Sequence, residues 1–113
     1  MSLDVTLTEQ HCSHCGAGKV VFEANITHNL NKMAAEGGVY EHIWRPEELN
    51  IKLAKDLIKP LQQFVDDMKK DPARFKEFNT PNGWGTYVNF LPWCDRYLQA
   101  CIKFPDATIS VCR

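Results

Sequence analysis

Apolar and polar residues alternate through residues 3–9, with Leu3, Val5 and Leu7 set against Asp4, Thr6 and Thr8. A period of two predicts a strand with one buried face. Residues 19–26 behave alike, placing Val20, Phe22 and Ala24 opposite Val21, Glu23 and Asn25. Between them runs His11-Cys12-Ser13-His14-Cys15-Gly16-Ala17-Gly18, a glycine-rich turn, so the two strands form a hairpin with a CxxC tip. Residues 107–112 alternate once more and predict a third strand.

The middle of the chain changes period. Thr27 is a good N-cap for a short helix over residues 28–36, and Gly37-Gly38 ends it, since glycine takes the left-handed conformation cheaply. Residues 40–44 read as a connector. Pro46 suits a first helical position, and Glu47 and Glu48 complement the helix dipole. From there Leu49, Leu53, Leu57, Leu61, Val65 and Met68 recur at helical spacing, joined by Ile58 and Phe64. They predict one long amphipathic helix over roughly residues 46–70, with Pro60 kinking or dividing it. Asp71-Pro72 starts a further turn or two through residue 78, and residues 79–85 form a loop. A last helix lies within residues 86–104, with Tyr87, Leu91, Cys94, Leu98 and Cys101 on one face and Pro92 either bending it or marking its start. The order ββαααβ predicts an α+β fold: a small antiparallel sheet of about three strands, the hairpin plus the C-terminal strand, packed against three or four helices.

At 113 residues, 44% of them hydrophobic and 24% charged, the chain suits a single domain over residues 1–113. A formal net charge of -1 gives no general attraction to a phosphate backbone, so generic nucleic-acid binding is not expected. No apolar run approaches the ~20 residues of a membrane span. Residues 1–10 lack the basic and apolar blocks of a signal peptide. Five cysteines, an odd and scattered set, suit a reduced chain. The expected location is therefore the cytoplasm.

The Cys12-x-x-Cys15-Gly16 spacing is that of a zinc knuckle, in which a tight turn aims two thiolates at one metal. It supplies half of a tetrahedral site, and no second CxxC follows. Candidates to complete a Zn site are His11, His14, His28, His42, Cys94, Cys101 and Cys112, the last if the final strand pairs beside the first. Thioredoxin-type chemistry fits less well, because Gly16-Ala17-Gly18 leads into a strand and not into a helix N-terminus.

Three segments are rich in groups that recognise ligands: residues 25–29, 40–48 and 82–87. His28 and Asn29 offer a switchable donor and a bidentate amide. Tyr40, Trp44 and Arg45 offer aromatic faces beside a planar charge. Asn82, Trp84 and Tyr87 surround two glycines that permit close backbone approach. Should these stretches converge, they form a pocket for a flat anionic or nucleotide-like ligand. The competing reading is that Thr27 is a cap, Trp44 and Trp84 close the core, and Arg45 pairs with a carboxylate. No GxSxG, HExxH, Walker or GxGxxG pattern occurs, and the reading tends away from an enzyme.

The stretches Asn25-Ile26-Thr27-His28-Asn29-Leu30-Asn31-Lys32-Met33-Ala34, Trp44-Arg45-Pro46-Glu47-Glu48 and Asn82-Gly83-Trp84-Gly85-Thr86-Tyr87 resemble a family of short, uncharacterised proteins encoded by bacteriophages and prophages. The resemblance implies a viral product acting in the bacterial host cytosol and carries over no catalytic residue. Two functions follow as expectations. One is a small-ligand binding module using His28, Asn29, Tyr40, Trp44, Arg45, Asn82, Trp84 and Tyr87. The other is a zinc-knuckle-stabilised module that binds and modulates a host protein.

Overall fold

The computed structural model describes residues 2–10, 18–81, 83 and 85–113. Strands β1 (Ser2–Gln10), β2 (Gly18–Thr27) and β3 (Thr108–Cys112) form an antiparallel sheet in the order β2-β1-β3. The α+β expectation holds. Leu3, Val5 and Leu7 of the central strand are fully buried, as their alternation demands. Their partners Ile26, Ala24 and Phe22 on β2, and Ile109 and Val111 on β3, complete an apolar underside. Asp4, Thr6, Glu23, Asn25 and Ser110 occupy the opposite, polar face.

One strand expectation fails at Val20. The register shifts between Leu7 and Thr8, so that Leu7 pairs with Phe22 but Thr8 pairs with Val20. The extra residue of this bulge, Val21, reverses the facing of β2 residues on its N-terminal side. Val20 therefore turns outward, half exposed, while Val21 packs against the core.

Helices α1 (Asn31–Glu36), α2 (Tyr40–Trp44), α3 (Lys55–Lys70), α4 (Pro72–Lys76) and α5 (Tyr87–Lys103) make the second layer. The predicted connector at residues 40–44 is thus a short helix. The predicted single helix over residues 46–70 is interrupted. Its start is a 3-10 turn, Pro46–Leu49, ended by Asn50 in the left-handed conformation. Residues 51–53 then leave the helical path, because β3 and the turn before it hold the segment. Ile109 N–H donates to the Lys52 carbonyl, Ala54 N–H to Ala107 and Lys55 N–H to Pro105, each at 2.9 Å. Leu53 is half-buried and bridges Thr108, Leu49 is exposed, and Ile51 and Ala54 face the core in their place, so the predicted apolar face does not extend back to residue 49.

Neither internal proline divides its helix. Pro60 and Pro92 are each the sixth residue of α3 and α5, where one missing N–H frees the carbonyls of Asp56 and Val88. Both of those residues are exposed, so water can take the freed acceptors. Asp71 precedes α4 as expected, but its side chain makes no capping hydrogen bond.

The buried face of α3, namely Leu57, Leu61, Phe64, Val65 and Met68, packs on α5, which in turn covers β2. Aromatic rings thread this interface: Trp44 to Phe90 at 6.2 Å, Phe90 to Trp93 at 6.0 Å, Trp93 to Tyr97 at 5.5 Å and Tyr97 to Phe22 at 5.8 Å between centroids. Gly37 and Gly38 end α1 for different reasons. Gly38 has φ +78°, whereas Gly37 has an ordinary φ and lies hard against the Phe64 ring.

Candidate functional site

The first two ligand-rich segments meet at His28. Thr27 Oγ1 accepts from the Asn29 N–H at 3.3 Å, which bends the end of β2 into a 3-10 turn, His28–Leu30, ahead of α1. There the His28 Nδ1 accepts a hydrogen bond from the Trp44 indole Nε1–H at 2.9 Å. The indole itself is fixed on several sides. Tyr40 stacks on it at 5.7 Å, Phe90 meets it edge-on, and the Trp44 carbonyl accepts from the Arg113 guanidinium at 2.8 Å. Arg45 Nε donates to the Tyr40 hydroxyl at 3.2 Å, and its Nη1 pairs with Glu48 at 2.9 Å. The bond to Tyr40, then that to Glu48, makes the guanidinium hold its proton still more firmly.

The third segment closes onto the same turn. A Cβ built at Gly85, where φ is +116°, would stand 3.1 Å from Asn29 Cβ and 3.3 Å from Thr27 Cγ2. Only a bare backbone fits that close. The loop leading there is pinned by Thr80, whose N–H donates to the Gly85 carbonyl at 3.2 Å. Asn79 Oδ1 accepts from the Tyr87 N–H at 2.7 Å, supplying the first turn of α5 with an acceptor. The Tyr87 hydroxyl donates to the Met68 carbonyl at 2.6 Å.

Between the two walls lies a groove of about 580 Å³. His28, Asn29, Asn31 and Lys32 form one side, and Glu77, Phe78, Asn79, Thr80 and Pro81 the other. Of the sequence-derived set, His28 and Asn29 line it. Tyr40 borders a separate hollow of about 220 Å³ with Asn31, Lys32 and Ala35. Trp44 is 1% exposed, so the stacking surface expected of it is not presented; its ring closes the core and its N–H holds His28. Tyr87 is buried likewise, with its hydroxyl engaged. Arg45 is half-buried in its Tyr40–Glu48 pairing and does not line the groove. Asn82 and Trp84 lie outside the described residues. Lys32, Glu77, Asn79 and Thr80 were missed because charged helix ends and loop amides read as solvated surface. The one available signal was the Asn-rich run through residues 25–31.

The candidate metal pair Cys12 and Cys15, with His11 and His14, also falls outside the described residues. Among the described residues no group of three or more His, Cys, Asp or Glu side chains is arranged to hold a metal ion. Cys112 pairs beside Asp4, six residues along β1 from Gln10, or about 20 Å at ~3.4 Å per residue. Cys94 and Cys101 are fully buried. Burial, reinforced by Asp95, pushes the Cys94 thiol well up, and burial pushes Cys101 up to about 12, so both remain protonated.

Comparison with family models, curated proteins and solved structures found no match to this chain.

Proposed function

We propose that this protein is a small-ligand binding module and that the groove between residues 28–32 and 77–81 is its site. The observation that carries the reading is convergence. Segments some fifty residues apart meet in a 580 Å³ cleft, a size within the ~300–1,000 Å³ of small-molecule sites. Its polar groups are also braced from behind: His28 by the Trp44 indole and Asn79 by the Tyr87 N–H. Bracing of this kind lowers the cost of ordering side chains on binding. Lys32 and the amides of Asn29, Asn31 and Asn79 suit a ligand with an anionic group and a hydrogen-bonding edge.

An amide NMR titration with adenosine monophosphate as a flat anionic probe tests the reading. Shifts confined to residues 28–32 and 77–81 are the expected result. No shift at millimolar probe would overturn the flat anionic ligand, and shifts on the outer face of the sheet would overturn the groove itself. The resemblance to phage-encoded proteins supports a setting in the bacterial cytosol. A zinc-stabilised surface for a host protein rests on Cys12 and Cys15. Metal analysis of the purified protein decides it, with one zinc per chain in favour and none against.

A further inference from the structure

We propose that the groove takes a small zwitterion, a free amino acid or short peptide, with its carboxylate on His28 and Lys32 and its ammonium on Glu77. The inference rests on the groove being the binding site, and it adds the charge pattern of the occupant. Three observations carry it.

The first is the state of the His28 ring. Its Nδ1 accepts from the Trp44 indole, and an indole nitrogen can only donate. In the neutral ring the proton must then sit on Nε2, which makes no hydrogen bond among the described residues. The two ring nitrogens point away from each other, so the buried side of the imidazole is an acceptor and its far side is a donor. His28 lines the groove and is only half-buried, so that donor serves an oxyanion. Trp44 acts here as a positioning residue, immobilised by Tyr40, Phe90 and Arg113.

The second is the placement of charge. Lys32 follows His28 by four residues and shares its wall, while Glu77 belongs to the other wall. Opposite charges line one cleft, and among the described residues Lys32 and Glu77 form no ion pair with each other or with any third group. A molecule carrying both signs satisfies both walls; an anion meets Glu77 as a like charge.

The third is the rest of the lining. The Asn79 Oδ1 already accepts from Tyr87 and the Thr80 hydroxyl already donates to the Gly85 carbonyl, which leaves the Asn79 Nδ2 as donor and the Thr80 oxygen as acceptor for a peptide group, and Phe78 adds an apolar patch.

The test begins with the unliganded full chain. A long-range nitrogen–proton correlation of the His28 ring in its neutral form should give the Nε2–H tautomer, and an Nδ1–H pattern overturns the proposal. Titrations then compare glycylglycine with N-acetylglycine, which lacks the ammonium, and glycinamide, which lacks the carboxylate. Glycylglycine should bind about fivefold tighter than either, the scale of one exposed ion pair. Glu77→Gln, at an exposed position, should erase the advantage over N-acetylglycine and leave N-acetylglycine itself no weaker. Equal binding of the two overturns the zwitterion and leaves the groove standing. Binding of adenosine monophosphate without glycylglycine does the same. Groove residues that respond to none of these probes remove both the groove and its ligand class.

Discussion

Replacing Gly37 with alanine isolates one contact of the core. At φ −84° and ψ −1° the backbone suits any residue, and alanine in place of glycine would by itself stabilise by about 0.4–1 kcal/mol. The added Cβ would instead sit 2.2 Å from Cδ1 and Cε1 of Phe64. Carbon atoms pack at about 3.5–4.0 Å, so the ring or the backbone must retreat by more than ~1 Å. Phe64 has nowhere to go: it is fully buried, edge-on to Phe75 at 5.6 Å and to Phe90 at 5.7 Å. Overpacking of this kind costs about 1–3 kcal/mol, leaving a net loss of roughly 1–2 kcal/mol. With a urea dependence of about 1–1.5 kcal/mol per molar, the unfolding midpoint of Gly37→Ala should fall by roughly 1 M. Phe64→Leu in that background should cost less than the two single losses summed, with a coupling of at least ~0.5 kcal/mol. A midpoint equal to or above wild type would show that the ring is not confined, and the packing argument would fail.

Tyr97 offers the opposite sign. Its hydroxyl is buried with no hydrogen-bond partner among the described residues, and burial, with Cys101 nearby, pushes the phenol well up. Tyr97→Phe should leave stability unchanged or raise it by about 1 kcal/mol in urea unfolding; a loss above that would reveal a partner. Mass-resolved alkylation should label Cys112, which is exposed, while Cys94 and Cys101 react only on unfolding; prompt labelling of either would contradict their burial. Burial opposes ionisation of Glu47, but its own backbone hydrogen bond and the Arg113 guanidinium outweigh it and hold the carboxyl below the usual glutamate range. A lowered acid stabilises above its unfolded pKa and loses that contribution as pH falls through the folded one. The Glu47–Arg113 pair, half exposed, should contribute less than about 1 kcal/mol at neutral pH, and Arg113→Ala should flatten this part of the acid limb of a stability–pH curve.

The strands were legible because Leu3, Val5 and Leu7 leave no choice of face, and residues 107–112 repeat the alternation. The long helix misled for an instructive reason. Leu49, Leu53 and Leu57 fit a helical period, yet Leu49 is exposed, Leu53 is half-buried in a bridge to Thr108, and Ile51 and Ala54 of the same stretch make the core contacts. Helical spacing is realised only where the backbone is free to coil, and here β3 and the turn before it take up the hydrogen-bonding groups of residues 52, 54 and 55. Asn50, tolerant of the left-handed conformation, was the local mark of the break. Residue types brought out His28 and Asn29, which line the groove, but neither its other wall at residues 77–81 nor the direction in which Trp44 and Tyr87 face. An indole suited to stacking on a ligand is equally suited to closing a core, and only the Trp44–His28 contact decides which. Lys32 and Glu77 became visible as groove walls only once α1 and α4 were placed in space.

The bulge at Leu7 and Thr8 divides the long hairpin into two regimes. On the near side, every second residue is answerable to the helical layer. On the far side, residues 18–20 are all exposed, and Val20 has turned away from the interior. Lys19 and Val20 are therefore tied to β1 by the backbone ladder while their side chains owe nothing to the interior. Those two positions can be rewritten, by evolution or by an engineer, without renegotiating the packing beneath, whereas Gly18, whose added Cβ would stand 2.5 Å from Thr8 Cγ2, cannot.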